Sequence, residues 1–235
     1  MLKKLSYIVI SAALALALTL PALTPTDNVP LLEPLPCYPP QTEQKISDYD
    51  AVMRSVGDEC GVDWRLLSAI ACIESQFRSD AVSPRGAVGL MQIMPSIGEH
   101  FDIPCDSLPR PYYNVKAAAA LLCEIESMMQ LPETVSERDR LSLVLASYNS
   151  GIGHVSDARR LARAFGENFN SWATVSHYLR LKNEPEYYEH DVVVNGQFKS
   201  GRTTTAYVRD VLKRYHHYLE MTGDAAEERT AESVI

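Results

Sequence analysis

The strongest constraint on the fold of this chain is an amphipathic pattern that runs from Asp63 to Phe77. Leu67, Ile70 and Glu74 recur at the three- and four-residue spacing that places side chains on one face of an α-helix. A stripe of this kind is normally buried against the rest of a protein. The pattern therefore predicts a helix whose buried face ends in a carboxylic acid.

The position of Glu74 on this stripe has a chemical consequence. Burial disfavours the charged form of a carboxyl group and raises its pKa, so that the acid keeps its proton near neutral pH and can donate it to a leaving oxygen. The alternative is an exposed Glu74 that pairs with Arg78 one turn further on. Most helical glutamates are of this second kind, because charged groups are rarely buried without a partner. The segments downstream favour the first interpretation.

A glycine-containing segment follows the helix. Gly86 and Gly89 precede a short apolar run that ends at Pro95. Glycine permits positive φ angles and the close approach of a ligand, so we expect a shaped loop that leads into a short helical turn. Gln92 then offers an amide donor and acceptor to a sugar, and Met91 packs against the apolar surface of the sugar. The alternative places Met91 in the core.

Two later segments carry polar side chains at helix ends. Tyr148 and Asn149 close an amphipathic segment that stops at Gly151, and both can direct hydrogen-bonding groups into a cleft. Helix capping explains Asn149 equally well. A last helix begins in a run of three threonines, which suit capping, and Tyr207 lies in its first turns.

The chain as a whole reads as mostly α, because helical patterns leave little room for strands. The patterns lie at about Asp48–Cys60, Asp63–Phe77, Val115–Met129, Ser136–Ser150, Val155–Phe165, Trp172–Leu181 and Thr204–Met221. They predict a single domain over residues 45–222, which is long enough to bury a hydrophobic core. A Pro-rich linker at 25–44 precedes this domain and a polar tail at 223–235 follows it.

The N-terminus predicts export. Two lysines in the first four residues precede an apolar run from Leu5 to Leu23, so that residues 1–24 form a signal peptide or a retained membrane anchor. No clear cleavage site decides between these two. For an exported chain, five cysteines predict at least one disulfide, with buried free thiols as an equal alternative. The cysteines are Cys37, Cys60, Cys72, Cys105 and Cys123.

Charge and histidine spacing exclude other classes of protein. The 22 Lys and Arg residues against 30 Asp and Glu residues give a formal charge of −8, which argues against nucleic acid as a partner. The six histidines include no pair at helical i, i+4 spacing with an acidic companion, so we expect neither a metal nor another cofactor.

The motifs together resemble the lytic transglycosylases of the soluble-lytic-transglycosylase, goose-type-lysozyme-like family. The resemblance runs from about Tyr49 to Tyr218, in the family's order, and within the family it is strongest to a membrane-bound subfamily. The matching motifs are Glu74-Ser75, Gly89-Leu90-Met91-Gln92, Tyr148-Asn149 and Ala206-Tyr207-Val208. The family's Ala-Tyr-Asn-Ala-Gly reads Ser-Tyr-Asn-Ser-Gly at residues 147–151. The resemblance implies a lysozyme-like catalytic domain, a monomer, that acts on peptidoglycan glycan strands.

The resemblance also implies roles for individual residues. In this family one glutamic acid protonates the oxygen between N-acetylmuramic acid and N-acetylglucosamine, and its carboxylate then takes the proton of the 6-hydroxyl that closes a 1,6-anhydro ring. Glu74 would be this acid and base, and Ser75 its hydrogen-bonding neighbour and a ligand of the substrate. Tyr148 would in addition bond Glu74. The remaining substrate contacts would be Met91, Gln92, Tyr148, Asn149 and Tyr207.

Two other functions stay open. A lysozyme-like hydrolase would use a second carboxylate, for which Glu99, Asp102 or Asp106 would have to face Glu74. A non-catalytic module that binds peptidoglycan would keep the fold without the chemistry.

Overall fold

The structure, a computed structural model, describes residues 44–223, which belong to one compact unit. The predicted signal or anchor segment, nearly all of the linker, almost the whole tail and Cys37 lie outside the described residues. Within residues 44–223 no helix has both the length and the apolar composition that a membrane crossing needs.

The predicted mostly α fold is confirmed. The described residues form α1 Asp50–Cys60, α2 Trp64–Ser75, α3 Pro95–His100, α4 Pro111–Met129, α5 Glu137–Ser150, α6 Ile152–Ala164, α7 Trp172–Leu181, α8 Pro185–Tyr188 and α9 Gly201–Thr222. In the same residues β-structure is limited to two isolated bridges, in which Val88 pairs with Val82 and with Ile93.

Several helix boundaries differ from the prediction for local reasons. The helix α8 was not predicted, and α3 follows the loop where only a short helical turn was expected. Each begins with a proline, whose fixed φ suits a first helical position. The last helix begins at Gly201, so the threonines lie inside it and do not cap it. The helix α2 ends at Ser75, because Gln76 and Phe77 adopt positive φ values of 55° and 61°.

The core is built on the buried faces of α2 and α5. Leu67, Ile70 and Ala71 of α2 are fully buried, as the stripe predicted, and α2 packs against α9 and α1. Leu143 and Leu145 of α5 are buried equally, and α5 packs against α4, α6 and α9. Each of these leucine and isoleucine side chains stabilises the fold by roughly 1.5–3 kcal/mol relative to an exposed one. Because α2 and α5 are both fixed in the core, their C-terminal ends hold constant positions at one cleft.

A buried ion pair ties α6 to α7 and to the loop before α9. Asp157 of α6 accepts a hydrogen bond of 2.6 Å from Lys182 Nζ, and both side chains are completely buried. Asp157 also accepts hydrogen bonds of 2.9 Å from the backbone N–H groups of Val194 and Asn195. Burial opposes the ionisation of Asp157, but these donors outweigh it and lower the pKa of Asp157 to about 2.

The four described cysteines are free thiols, so no disulfide forms among them. Cys60 and Cys72 are partly buried, whereas Cys105 and Cys123 are exposed. The structure therefore agrees with free thiols at these four positions, but the second alternative is only partly met, because it expected the thiols to be buried and Cys105 and Cys123 are exposed.

Candidate active site

Glu74 lies at the penultimate position of α2 and lines a cleft of about 550 Å³. The loop of residues 83–94, here called the Gln92 loop, forms one wall of this cleft. The C-terminal half of α4, the junction of α5 with α6 and Ile97 of α3 form the rest. Gln92, Tyr148 and Asn149 line the same cleft, so the structure brings together four of the residues that the sequence selected.

The electrostatic setting of Glu74 is that of a buried acid. Burial raises the pKa of Glu74 from 4.5 to about 7, and the nearby Tyr207 hydroxyl opposes this rise without cancelling it. The alternative in which Arg78 pairs with Glu74 is not the one adopted, because Arg78 Nε donates to the backbone oxygen of Ser75 at 3.0 Å. The prediction of a raised pKa is confirmed.

Two phenol groups flank the acid. Tyr148 Oη donates a hydrogen bond of 2.8 Å to the backbone oxygen of Met91, so the predicted bond from Tyr148 to Glu74 is wrong. Tyr207 Oη approaches Glu74, but it completes no hydrogen bond with any described residue. Burial raises the pKa of both phenols well above the usual value, and the nearby charge of Glu74 adds to this rise. Both hydroxyls therefore stay protonated and neutral beside the carboxyl group.

Gln92 and Asn149 offer complementary groups to a ligand. Gln92 Nε2 donates to the backbone oxygens of Gly89 and Ala81 at 3.0 and 3.2 Å, which uses both of its N–H bonds. The amide oxygen of Gln92 is the group left for a ligand, whereas both a donor and an acceptor were predicted. Asn149 is exposed, and its Oδ1 accepts a hydrogen bond of 2.9 Å from Thr204, which leaves its amide N–H groups for a ligand.

Two predicted substrate contacts are corrected by the structure. Ser75 is 1% exposed, and its hydroxyl donates to the backbone oxygen of Leu90 at 2.8 Å. Met91 is completely buried. Neither side chain is accessible to a ligand. Both fix the Gln92 loop to the core instead of touching a sugar.

Asn114 is a residue of this site that the sequence analysis missed. Its Oδ1 accepts a hydrogen bond of 2.7 Å from the Met91 backbone N–H, and its Nδ2 donates to the backbone oxygens of Val88 and Leu108 at 3.0 Å. Asn114 is fully buried in α4. A Cβ atom at Gly89 would lie 2.6 Å from Asn114 Nδ2, and Gly89 has a φ of 76°, so only glycine fits there. A lone asparagine that opens the alanine-rich segment of α4 was the available signal.

Among the helical residues that line the cleft, two polar side chains were also missed. Glu124 of α4 lines it, and its Oε1 atom lies at hydrogen-bond distance, 2.8 Å, from His100 Nε2. Ser147 of α5 lines it with a buried hydroxyl that finds no partner among the described residues. Nothing in the local sequence distinguishes Glu124 from its neighbours. By contrast, the predicted candidates for a second acid are exposed and lie outside the cleft lining: Glu99, Asp102 and Asp106.

Comparisons with known proteins agree with this site and fold. The transglycosylase SLT domain family matches residues 52–170. A protein of Marinobacter nauticus named membrane-bound lytic murein transglycosylase F is 30% identical over 180 residues, 77% of this chain and 34% of the relative. Its namesake from Shewanella pealeana is 34% identical over 178 residues, 75% of this chain and 35% of the relative.

A solved structure shows the same fold. It is an inactive mutant of the lytic transglycosylase Slt from Pseudomonas aeruginosa, with a TM-score of 0.52 and 24% identity. The match covers 75% of this chain and 25% of that chain. The predicted lysozyme-like fold is thereby confirmed.

Because the family match covers half of its length, the chain belongs to the transglycosylase SLT domain family. The names of the curated relatives confirm the predicted likeness to a membrane-bound subfamily. The chain spans about a third of the length of these relatives.

Proposed function

We propose that this chain is a peptidoglycan lytic transglycosylase, which cleaves the β-1,4 bond between N-acetylmuramic acid and N-acetylglucosamine and leaves 1,6-anhydro ends. The observation that carries the proposal is the Glu74 carboxyl group, whose pKa of about 7 lets it act as an acid and as a base near neutral pH. Membership of the SLT family and the names of the relatives support the same reaction.

The proposed mechanism uses one carboxyl group twice. Protonated Glu74 donates its proton to the glycosidic oxygen, the bond from the muramic anomeric carbon to that oxygen breaks, and positive charge develops on the sugar ring. The acetamido group of the same sugar can shield this charge, as in substrate-assisted glycosidases. The Glu74 carboxylate then takes the proton of the 6-hydroxyl, whose oxygen bonds the anomeric carbon. No water is consumed, and Glu74 ends protonated for the next cycle.

The neighbours of Glu74 suit these two proton transfers. Tyr148 and Tyr207 are neutral phenols beside the carboxyl group, so they add no negative charge that would raise its pKa further. The Gln92 oxygen and the Asn149 amide would hold hydroxyl and acetamido groups of the glycan. We assign the enzyme to the cell envelope, as a monomer that needs no metal, and the N-terminal apolar segment would deliver or anchor it there.

A lysozyme-like hydrolase is the second candidate, because Glu124 lies in the same cleft as Glu74. Most glycosidases pair an acid with a second carboxylate, which attacks the sugar or activates water. In this role the Glu124 carboxylate would have to leave its contact with His100. We favour the transglycosylase because that contact keeps Glu124 engaged away from the substrate.

Product analysis tests the proposal. Purified peptidoglycan would be digested with the full chain, with Glu74→Gln and with Glu124→Gln, and the released fragments identified by mass. We expect fragments one water lighter than the hydrolysis products, a loss of about 10³-fold for Glu74→Gln, and near-normal activity for Glu124→Gln. Reducing ends that vanish in both variants would establish the hydrolase instead. A folded chain that binds peptidoglycan but releases nothing would be an accessory module.

A further inference from the structure

A second cavity, of about 440 Å³, lies on the exposed face of α6 and is rich in arginine. Arg159, Arg160 and Arg163 line it, and Phe169 with Asn170 closes one side. No carboxylate group belongs to the lining of this cavity as the structure describes it. We call it the arginine pocket. A local concentration of positive charge contrasts with the formal charge of −8 of the whole chain.

Two of the three guanidinium groups lack an acidic partner in the described part of the chain. Arg160 pairs with Asp157, but Arg159 donates only to neutral oxygens, those of Phe169, Met129 and the Asn170 side chain. Arg163 lies 4.1 Å above the Phe169 ring and forms no ion pair. Burial, followed by the charge of Arg163, lowers the pKa of Arg159.

The arrangement works against the stability of α6. Arg159 and Arg163 are separated by four residues, so their like charges face each other on one helix surface, which destabilises a helix by a few tenths of a kcal/mol. The Phe169 ring contacts both groups through cation–π interactions and keeps them side by side. Uncompensated local conflicts of this kind are typical of binding sites.

The arginine pocket begins where the Glu74 cleft ends. On α4, Met128 lines the cleft and the next residue, Met129, lines the pocket. On α6, Ile152 lines the cleft and Ser156 lines the pocket, about 6 Å further along the helix axis. Arg163 lies about 16 Å along the axis from Ile152, a distance that a short extended peptide spans in about five residues.

We propose that the arginine pocket binds a carboxylate of the peptide that a glycan strand carries, so that the enzyme selects peptide-bearing strands. The proposal rests on the proposed function, because it places the strand in the Glu74 cleft. Guanidinium groups bind carboxylates through paired charge-assisted hydrogen bonds, and Arg159 keeps two of its five N–H bonds free for this purpose. The pocket is a recognition site outside the reacting centre.

The first test compares two substrates, peptidoglycan strands with their peptides and the same strands after an amidase has removed them. Arg163→Gln is the informative variant, because Arg163 is exposed and its contact with another described segment is the one with the Phe169 ring, which Arg159 also contacts. On peptide-bearing strands we expect KM to rise about 10-fold with kcat unchanged, and on bare strands no change. Arg209→Gln, an exposed change on α9, should alter neither. An equal effect of Arg163→Gln on both substrates, or no effect on either, would overturn the proposal.

A binding measurement keeps the proposal testable if the chain proves inactive. A soluble wall tetrapeptide and its C-terminal carboxamide would be titrated into the full chain by NMR, with inorganic phosphate as a competitor. We expect the acid to bind, the carboxamide to bind at least 10-fold more weakly, and Arg163→Gln to lose the difference. Equal binding of both peptides, or phosphate binding alone, would overturn the peptide assignment whatever the outcome of the digestion.

Discussion

Glu74 is a partly buried carboxyl group and Asp157 a fully buried one, and their pKa values move in opposite directions. Burial opposes the charged form of each, yet the pKa of Glu74 is about 7 and that of Asp157 is about 2. The difference lies in their partners. Asp157 accepts hydrogen bonds from Lys182 and from two backbone N–H groups, whereas Glu74 faces the single hydroxyl of Tyr207.

The comparison shows that burial alone does not decide what a carboxyl group does. A carboxylate with several donors is fixed as an anion and joins segments of the chain, as Asp157 joins α6, α7 and the loop before α9. A carboxyl group with few donors keeps a proton that it can release and recover near neutral pH. The carboxyl group suited to proton transfer is therefore Glu74, for which hydrogen-bond donors do not offset the cost of burying a charge.

Removal of the Asp157 charge should have the largest effect on stability. Asp157→Asn leaves the Lys182 ammonium buried without a counter-ion, and we expect a loss of about 3–5 kcal/mol in the free energy of unfolding, measured with denaturant at pH 7. Asp210→Asn, which breaks an exposed pair with Arg209, is the control and should cost at most about 1 kcal/mol. Equal losses for the two variants would mean that burial adds nothing to the Asp157 pair.

Removal of the Glu74 charge should stabilise the fold, which is the opposite of the effect expected for Asp157→Asn. Because the pKa of Glu74 is raised from 4.5 to about 7, the stability that its protonated form contributes is fully present below about pH 4.5 and is lost as the pH rises through 7. Glu74→Gln should therefore stabilise the fold by up to about 3 kcal/mol at pH 8 and change little at pH 4. Unfolding curves at both pH values check this, with the exposed Glu99→Gln as control. A gain that is equal at both pH values would contradict the titration argument.

The sequence predicted those features that depend on local patterns. Apolar spacing identified the buried face of α2, and with it the raised pKa of Glu74, before any contact was known. Helix-ending glycine placed Tyr148 and Asn149 beside the same cleft. These residues are close to Glu74 because the helices that carry them are packed together by ordinary hydrophobic periodicity.

The failures of the sequence analysis concern side chains whose direction is fixed by distant segments. Met91 turns inward because Asn114, 23 residues away, binds its backbone N–H. Ser75 turns towards Leu90, 15 residues away, and does not face the cleft. Periodicity carries no information on such contacts. The same holds for the arginine pocket, in which Phe169 and the C-terminal end of α4 meet the arginines of α6.

Removal of the Tyr207 hydroxyl should have a smaller effect than the substitutions of Asp157 and Glu74, and it should act on the pKa of Glu74. It lowers the pKa of Glu74, so Tyr207→Phe should raise that pKa above about 7 and reduce the cleavage rate at pH 7 by about 2- to 10-fold. Titration of the glutamate side-chain carbons by NMR measures the first effect directly. Tyr112→Phe removes a phenol that binds the exposed Glu59 and should leave the titration of Glu74 unchanged. An unchanged pKa in Tyr207→Phe would remove Tyr207 from the site.

Ser147 allows the finest comparison. Like the Glu74 carboxyl group, its hydroxyl is removed from solvent with too few hydrogen-bond partners, but it carries no charge. Its Oγ atom is buried without a partner in the described structure, whereas Ser142 Oγ on the same helix donates to the Arg138 backbone oxygen at 2.6 Å. Both alanine variants gain the same helix propensity, so their difference isolates the hydrogen bond. We expect Ser147→Ala to be more stable than Ser142→Ala by about 1–2 kcal/mol in denaturant unfolding.

The activity of Ser147→Ala decides what the unpaired hydroxyl is for. If a bound strand supplies the missing partner, the variant gains stability and loses affinity together, so KM should rise by about 2- to 10-fold while kcat is unchanged. A stability as low as that of Ser142→Ala would mean instead that an ordered water already satisfies the hydroxyl. A gain in stability with a raised KM would extend the conclusion drawn for Glu74 to a neutral group. Both side chains would then lack hydrogen-bond partners in the free protein and find them in the bound substrate.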